Sequence, residues 1–372
     1  MKTHPRRFHP RFLLPLALWL LAGLAMVWAP VQALARLEPA RASPAPGPSA
    51  AIPLDRPLRF EHFSQAEGLS QDAVLAALQD HYGYLWFGTQ DGLNRYDGYS
   101  FTVFKNDPDN SASLSHNGVI ALLEDRQGGL WIGTWGGGLN RFDPASEHFR
   151  RYRHDPQDPT SLASDLVTAL LEDSQGRLWV GTSAGLDLLD PLTGRFSHYT
   201  HDPQDAGSLS SEHISALLGD PSGALWVGTG GFGQPGAGLN RFDPATARAV
   251  PYRGSPGDPA SLSSDNISAL AWGADGRIWV ATGGYQLPGA GLNRFDPQSG
   301  RAERFQHQAG DPASLSSDDL LSLKLDSSGV LWIATAGGGL ERLAHRHRGH
   351  AGVSSSDAPA IPMMACGRPP VT

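Results

Sequence analysis

The chain has 372 residues, enough for one large domain or two ordinary ones. Its net charge of −8 includes Lys2, Arg6, Arg7 and Arg11; without those four positive charges the remainder carries −12, which argues against a nucleic-acid partner. An apolar content of 40% with Gly 44 and Pro 29 excludes wholesale disorder and favours a turn-rich body, while the single cysteine, Cys366, excludes an internal disulfide and a cysteine-based metal site.

In chain order, the basic N-terminus leads into an apolar run from Phe12 to Trp28, interrupted only by Pro15, and then into Ala33-Leu34-Ala35. Small residues in that pattern make residues 1–35 a signal peptide, with an uncleaved membrane anchor as the alternative. Residues 36–58, rich in Ala, Pro, Ser and Arg, read as a linker. The remainder of the chain is expected to be periplasmic or secreted, or anchored in the inner membrane facing the periplasm, with no other contact to the membrane.

Residues 59–343 are organised by one phrase. Leu85-Trp86-Phe87-Gly88-Thr89 returns around Trp131, Trp179, Trp226, Trp279 and Trp332, at spacings of 45, 48, 47, 53 and 53 residues. A period in this range with one Trp and several short strands per unit predicts a β-propeller. The unit around Trp131 contains four predicted strands: Val119 to Asp125, Leu130 to Thr134, Gly138 to Phe142 and Phe149 to Tyr152. Asp125-Arg126-Gln127-Gly128 and Asp143-Pro144 supply turns. The fold class is therefore all-β, six four-stranded blades in a closed or nearly closed propeller, with an open arc of a larger propeller as the alternative. The sixth unit lacks a fourth strand, which Phe60 to Phe63 could supply. Because the Trp recurs in every unit, it is assigned to packing between blades.

The phrase L-W-[FIV]-G-T-x-x-G-L-N-R-[FY]-D, preceded by V-x-A-L-x-x-D-x-x-G and followed by D-P-x-x-x-x-S-L-S, resembles the two-component regulator propeller repeat over residues 60 to about 343. The resemblance implies the exported sensor part of a histidine kinase, hybrid two-component protein or diguanylate cyclase. Members usually continue into a β-sandwich, a membrane helix and an output module, whereas residues 344–372 resemble none of these and read as a disordered or out-of-frame tail. A His-rich stretch from His345 to His350 lies there.

The six units also serve as internal comparisons. A polar column, Asp72, Asn117, Asp165, Glu212, Asp265 and Asp318, recurs before each first strand. Its repetition favours turn capping over a cation ring. The loop between second and third strands is short in four units but lengthens in the fourth and fifth, as Gly230 to Ala237 and Gly283 to Ala290. Trp135, Phe232 and Tyr285, with Gln234 and Gln286, are the candidate ligand-binding residues there, since aromatic rings with amide partners suit an oligosaccharide or another small amphipathic molecule. The competing reading is that these rings pin the Gly-rich loops. No catalytic motif occurs, and the repeat-breaking carboxylates Asp91, Asp187 and Glu341 come from units one, three and six, which are not expected to converge. The chain is thus expected to be a non-enzymatic sensor without cofactor or metal, with a homodimer as an allowed assembly. A secreted carbohydrate lyase or hydrolase, or a protein-interaction scaffold, is the alternative.

Overall fold

Each blade is a meander, because short apolar strands separated by tight turns pair most simply with their sequence neighbours. The computed structural model describes residues 63–284, 286–326 and 329–343. Blade one comprises Val74–Gln79, Leu85–Thr89, Gly92–Tyr96 and Phe101–Phe104, and blade two Val119–Glu124, Leu130–Thr134, Leu139–Asp143 and His148–Tyr152. Blade three has Val167–Glu172, Leu178–Thr182, Gly185–Leu189 and Phe196–Tyr199; blade four has Ile214–Gly219, Leu225–Thr229, Leu239–Asp243 and Arg248–Tyr252. Blade five has Ile267–Trp272, Ile278–Thr282, Leu292–Asp296 and Arg301–Phe305, and blade six has Leu320–Leu325, Leu331–Thr335 and Gly339–Leu343. All pairing within the sheets is antiparallel and runs in chain order. The molecule is a six-bladed β-propeller.

The core lies between blades rather than within them. In the Leu-Trp-x-Gly-Thr strand, side chains alternate in direction. The Trp faces the following blade, while the residues on either side of it face the preceding one. Thus Trp86 and Leu93 of blade one pack against Val119, Leu130, Ile132 and Phe142 of blade two, and Trp226 of blade four meets Ile267, Ile278, Val280 and Phe295 of blade five. The Trp226 and Phe295 rings meet edge to face at 5.5 Å, an arrangement adding about 0.5–1.5 kcal/mol beyond area burial. In blades one to four the Gly two residues after the Trp permits this closeness: a Cβ at Gly133 would lie 2.7 Å from Val167 Cγ1 in the following blade, whereas blades five and six accommodate Ala281 and Ala334 there.

Two polar devices repeat with the core. The carboxylate of Asp80, Asp125, Asp173, Asp220 or Asp326 accepts the indole N–H six residues on, at 2.8–2.9 Å. Burial alone would raise the pKa of Asp220, but hydrogen bonds from Ser222 and Trp226 outweigh it and hold the carboxyl below its ordinary range. In the third strand, a buried Asn140 accepts the Ser115 N–H and donates to Ser115 Oγ, and Asn94, Asn240 and Asn293 repeat the pair with Ser70, Ser210 and Ser263.

The innermost first strands contact one another successively from blade one to blade six, and no comparable contact among the described residues joins blade six back to blade one. The two terminal faces show the effect. Trp332 is only half-buried, as are Leu85 and Phe87, whereas their counterparts in the interior blades are buried. The predicted closing strand Phe60 to Phe63 lies outside the described residues except for Phe63, whose ring packs on Tyr96 and Phe101 of blade one at 5.0 and 5.7 Å. Residues 1–62 and 344–372, with the predicted signal peptide, linker and tail, lie outside the described residues.

Candidate functional site

In a four-stranded meander the loops between second and third strands leave at the same end as the connections between blades. At that end a Thr clamps each loop. Thr134 Oγ1 donates to Gly138 O at 2.8 Å and accepts the Gly137 N–H. Thr229 makes the equivalent pair with Gly238 O and Ala237 N, and Thr282 with Gly291 O and Ala290 N. The clamp therefore closes the loop whatever its length, and the extra residues of blades four and five project beyond it.

Those extra residues form two tight turns. Gln234 N donates to Gly231 O at 2.9 Å, and Leu287 N to Gly284 O at 3.2 Å. Phe232 sits inside the first turn at φ +50° and Gln286 inside the second at φ +62°. Left-handed backbone at a bulky residue costs about 1–2 kcal/mol. The turns are seated on the following blade: Gly236 N donates to Asn266 Oδ1 at 2.8 Å, and Gly289 N to Asp319 Oδ1. They also lie side by side, since a Cβ on Gly233 would be 3.4 Å from Gln286 Oε1, and one on Gly284 would be 3.9 Å from Gly231 Cα.

Of the five predicted site residues, the structure brings three together. Trp135 from blade two and Phe232 from blade four meet with ring centroids 5.2 Å apart at 63°, and Gln286 borders the Phe232 turn. Gln234 closes that turn through its backbone and is solvent-exposed. Tyr285 lies outside the described residues. The rings thus form an edge-to-face pair, half-buried, rather than separate platforms. Trp135 is itself held by backbone bonds from its N–H to Gly118 O and from Gly136 N to Asp165 O.

Glu212 and His213 also belong to this end, and His213 is a residue there that the sequence reading did not single out. It immediately precedes the innermost strand of blade four, and its carbonyl accepts the Gly230 N–H at the root of the long loop. Its Nδ1 is buried and has no hydrogen-bond partner among the described residues, and Nε2 lies 3.9 Å from Glu212 Oε1. The signal was available: Ala73, Gly118, Leu166, Asn266 and Asp319 occupy the same column, so His213 is its one imidazole.

The remaining candidates have structural partners. In the polar column, Asp72, Asn117, Asp165, Asp265 and Asp318 each accept a backbone N–H from the segment leading into their own blade, at 2.7–3.0 Å. That is capping. Asp91 pairs with Lys105 at 2.6 Å and accepts from Asn117. Glu341 accepts the Ser316 N–H and hydroxyl. Asp187 replaces the buried Asn in blade three: Oδ2 accepts Ala163 N, and Oδ1 accepts His198 Nδ1 at 2.7 Å. His198 Nε2 also meets an acceptor, Pro159 O at 3.0 Å. Two acceptors require both ring nitrogens to donate, so the imidazolium is favoured; its pKa is raised, mainly by the Asp187 hydrogen bond.

Five segments, residues 68–91, 113–136, 161–184, 208–231 and 261–284, match the family described as the two component regulator propeller. A 55-residue stretch is 46% identical to Histidine kinase P4 of Formosa agariphila, covering 15% of this chain and 4% of that protein. Among solved structures, the extracellular domain of BT3049 from B. thetaiotaomicron is 26% identical with a TM-score of 0.47 over 76% of this chain; the match spans 41% of its own length. PorZ of Porphyromonas gingivalis is 18% identical with a TM-score of 0.53, over 71% of this chain and 37% of that one. Virginiamycin B lyase from Staphylococcus aureus is 14% identical with a TM-score of 0.51, over 74% and 82%. The likeness to PorZ and to the lyase is one of propeller fold.

Proposed function

The chain is built from two-component regulator propeller repeats, and from that premise we propose that it is an exported sensor propeller that captures a small ligand without transforming it. The site is the loop end carrying Trp135, Phe232, Gln234, Tyr285 and Gln286, and the ligand class is an oligosaccharide or a comparably amphipathic molecule. The observation that carries the reading is the meeting of three loops from blades two, four and five around the Trp135–Phe232 pair, with Phe232 held in left-handed backbone. Backbone strain at a converging aromatic cluster is a mark of functional constraint. The non-catalytic reading draws support from the repeat-breaking carboxylates, since Asp91, Asp187 and Glu341 are each occupied by partners in their own or the adjoining blade. The protein works from the periplasm or as a secreted molecule, and its signal passes to a kinase or cyclase output.

Thermal unfolding of the full chain against a panel of neutral oligosaccharides tests this. At least one should raise Tm, and the Trp135→Ala, Phe232→Gly double variant should lose that rise while keeping its far-ultraviolet spectrum. Glycine suits the φ at 232, so the fold is not the variable being changed. An undiminished rise in the double variant would move the site elsewhere.

A further inference from the structure

The first-to-second strand turns leave each blade at the end opposite the aromatic loops, and there blade five departs from the other five. In those blades an Asp accepts the indole N–H. In blade four the same oxygen, Asp220 Oδ2, also takes Arg241 Nε from the third strand at 3.4 Å. Gly273 stands at this position in blade five. Both donors remain. Arg294 lies over the Trp279 ring at 5.7 Å, as Arg241 lies over Trp226 at 5.9 Å. Trp279 is 7% exposed and its indole N–H makes no hydrogen bond among the described residues, while Arg294 Nε is buried and unpartnered among them.

These orphaned donors line a cavity between blades five and six, whose apolar wall is Leu325, Leu331 and Leu343. Arg294 is already paired at its outer nitrogens, Nη2 with Asp275 Oδ2 at 2.6 Å and Nη1 with Glu303 Oε2 at 3.7 Å, but neither carboxylate hydrogen-bonds to Arg294 Nε or to the Trp279 indole N–H. A Cβ on Gly273 would lie 3.1 Å from Trp279 Nε1 and 2.6 Å from Asp275 Oδ1, so the Asp275 carboxylate has to turn aside for an acceptor placed as Asp220 is in blade four.

We propose that this cavity binds a short aliphatic monocarboxylate. One carboxylate oxygen takes the Trp279 Nε1–H and Arg294 Nε–H bonds that Asp220 takes in blade four, and the alkyl tail lies on the three leucines. Charge-assisted bonds to donors otherwise unsatisfied supply the attraction, and the leucine wall selects an aliphatic tail over a second charge. The site is separate from the aromatic loop end and stands or falls independently of it.

Propionate is the probe, titrated into the full ¹⁵N-labelled chain with sodium chloride controls at matched ionic strength. The expected result is a saturable shift of one indole N–H resonance, the one missing in Trp279→Phe. That variant should bind propionate about tenfold more weakly or worse. Gly273→Asp places the carboxylate in the chain, turning Asp275 aside, and should abolish the response. Should Gly273→Asp fail to fold, Arg294→Lys, which keeps the charge but has no Nε–H, must weaken binding several-fold. A linear, unsaturable shift, a response on a different indole, or equal affinity in Trp279→Phe or in a folded Gly273→Asp would overturn the proposal.

Discussion

In blade three, Ala163, Asp187 and His198 replace the Ser–Asn pin of blades one, two, four and five with an ion pair, and the exchange makes this blade sensitive to pH. The folded pKa of His198 is raised, so its contribution to stability is complete below the ordinary imidazole value of about 6.5 and is lost as pH rises through the folded value. His198→Gln should therefore lower Tm most near pH 6, and the gap to the parent protein should close towards pH 9. A gap independent of pH would assign the loss to packing. The tryptophans give a second comparison. Trp226→Ala removes a fully buried ring and should cost about 3–5 kcal/mol in denaturant unfolding, whereas Trp332→Ala, on a face that no blade among the described residues covers, should cost about half as much or less. Equal losses would mean that Trp332 has a covering partner. The packing role of the tryptophans could be read from the sequence because six copies cannot all serve one ligand. The ion pair could not, because Asp187 and His198 are brought opposite one another only by strand register.

Loop lengths in blades four and five stand out in the sequence, and the structure shows why the propeller tolerates them: Thr229 and Thr282 close the ladder beneath the insertion. Replacing residues 230–237 with the two-residue Ser-Ala loop of blade three should leave the β-sheet spectrum intact and change Tm by a few degrees at most, while removing any oligosaccharide response. A collapse of the fold would show that the insertion is a structural element of blade four. That Trp135 would reach Phe232 was not legible, since a contact between blades two and four depends on the curvature of the whole ring. Gly273 and His213, by contrast, are visible as breaks in their columns. Their meaning is not, because a missing carboxylate or a single imidazole matters only once the fold shows which donors and acceptors surround it.

At the scale of the molecule, blades two to five are enclosed between neighbours, and blades one and six each present one face that the described residues leave half-covered. Stability in such an array is close to a sum over adjacent blades, so the enclosed blades hold the aromatic loops on the most rigid part of the fold. Under the sensor reading proposed above, the capture site sits on these enclosed blades. The repeat, the blade count and the Trp core arise from local pattern, whereas the convergence of loops is a property of the ring. The most direct test of the sensor reading is hydrogen–deuterium exchange of the full chain with and without the oligosaccharide that raises Tm most. Protection confined to residues 134–138, 212–213, 230–237 and 283–290 is the predicted result. Protection at the opposite end of the blades, or spread evenly over the propeller, would contradict it.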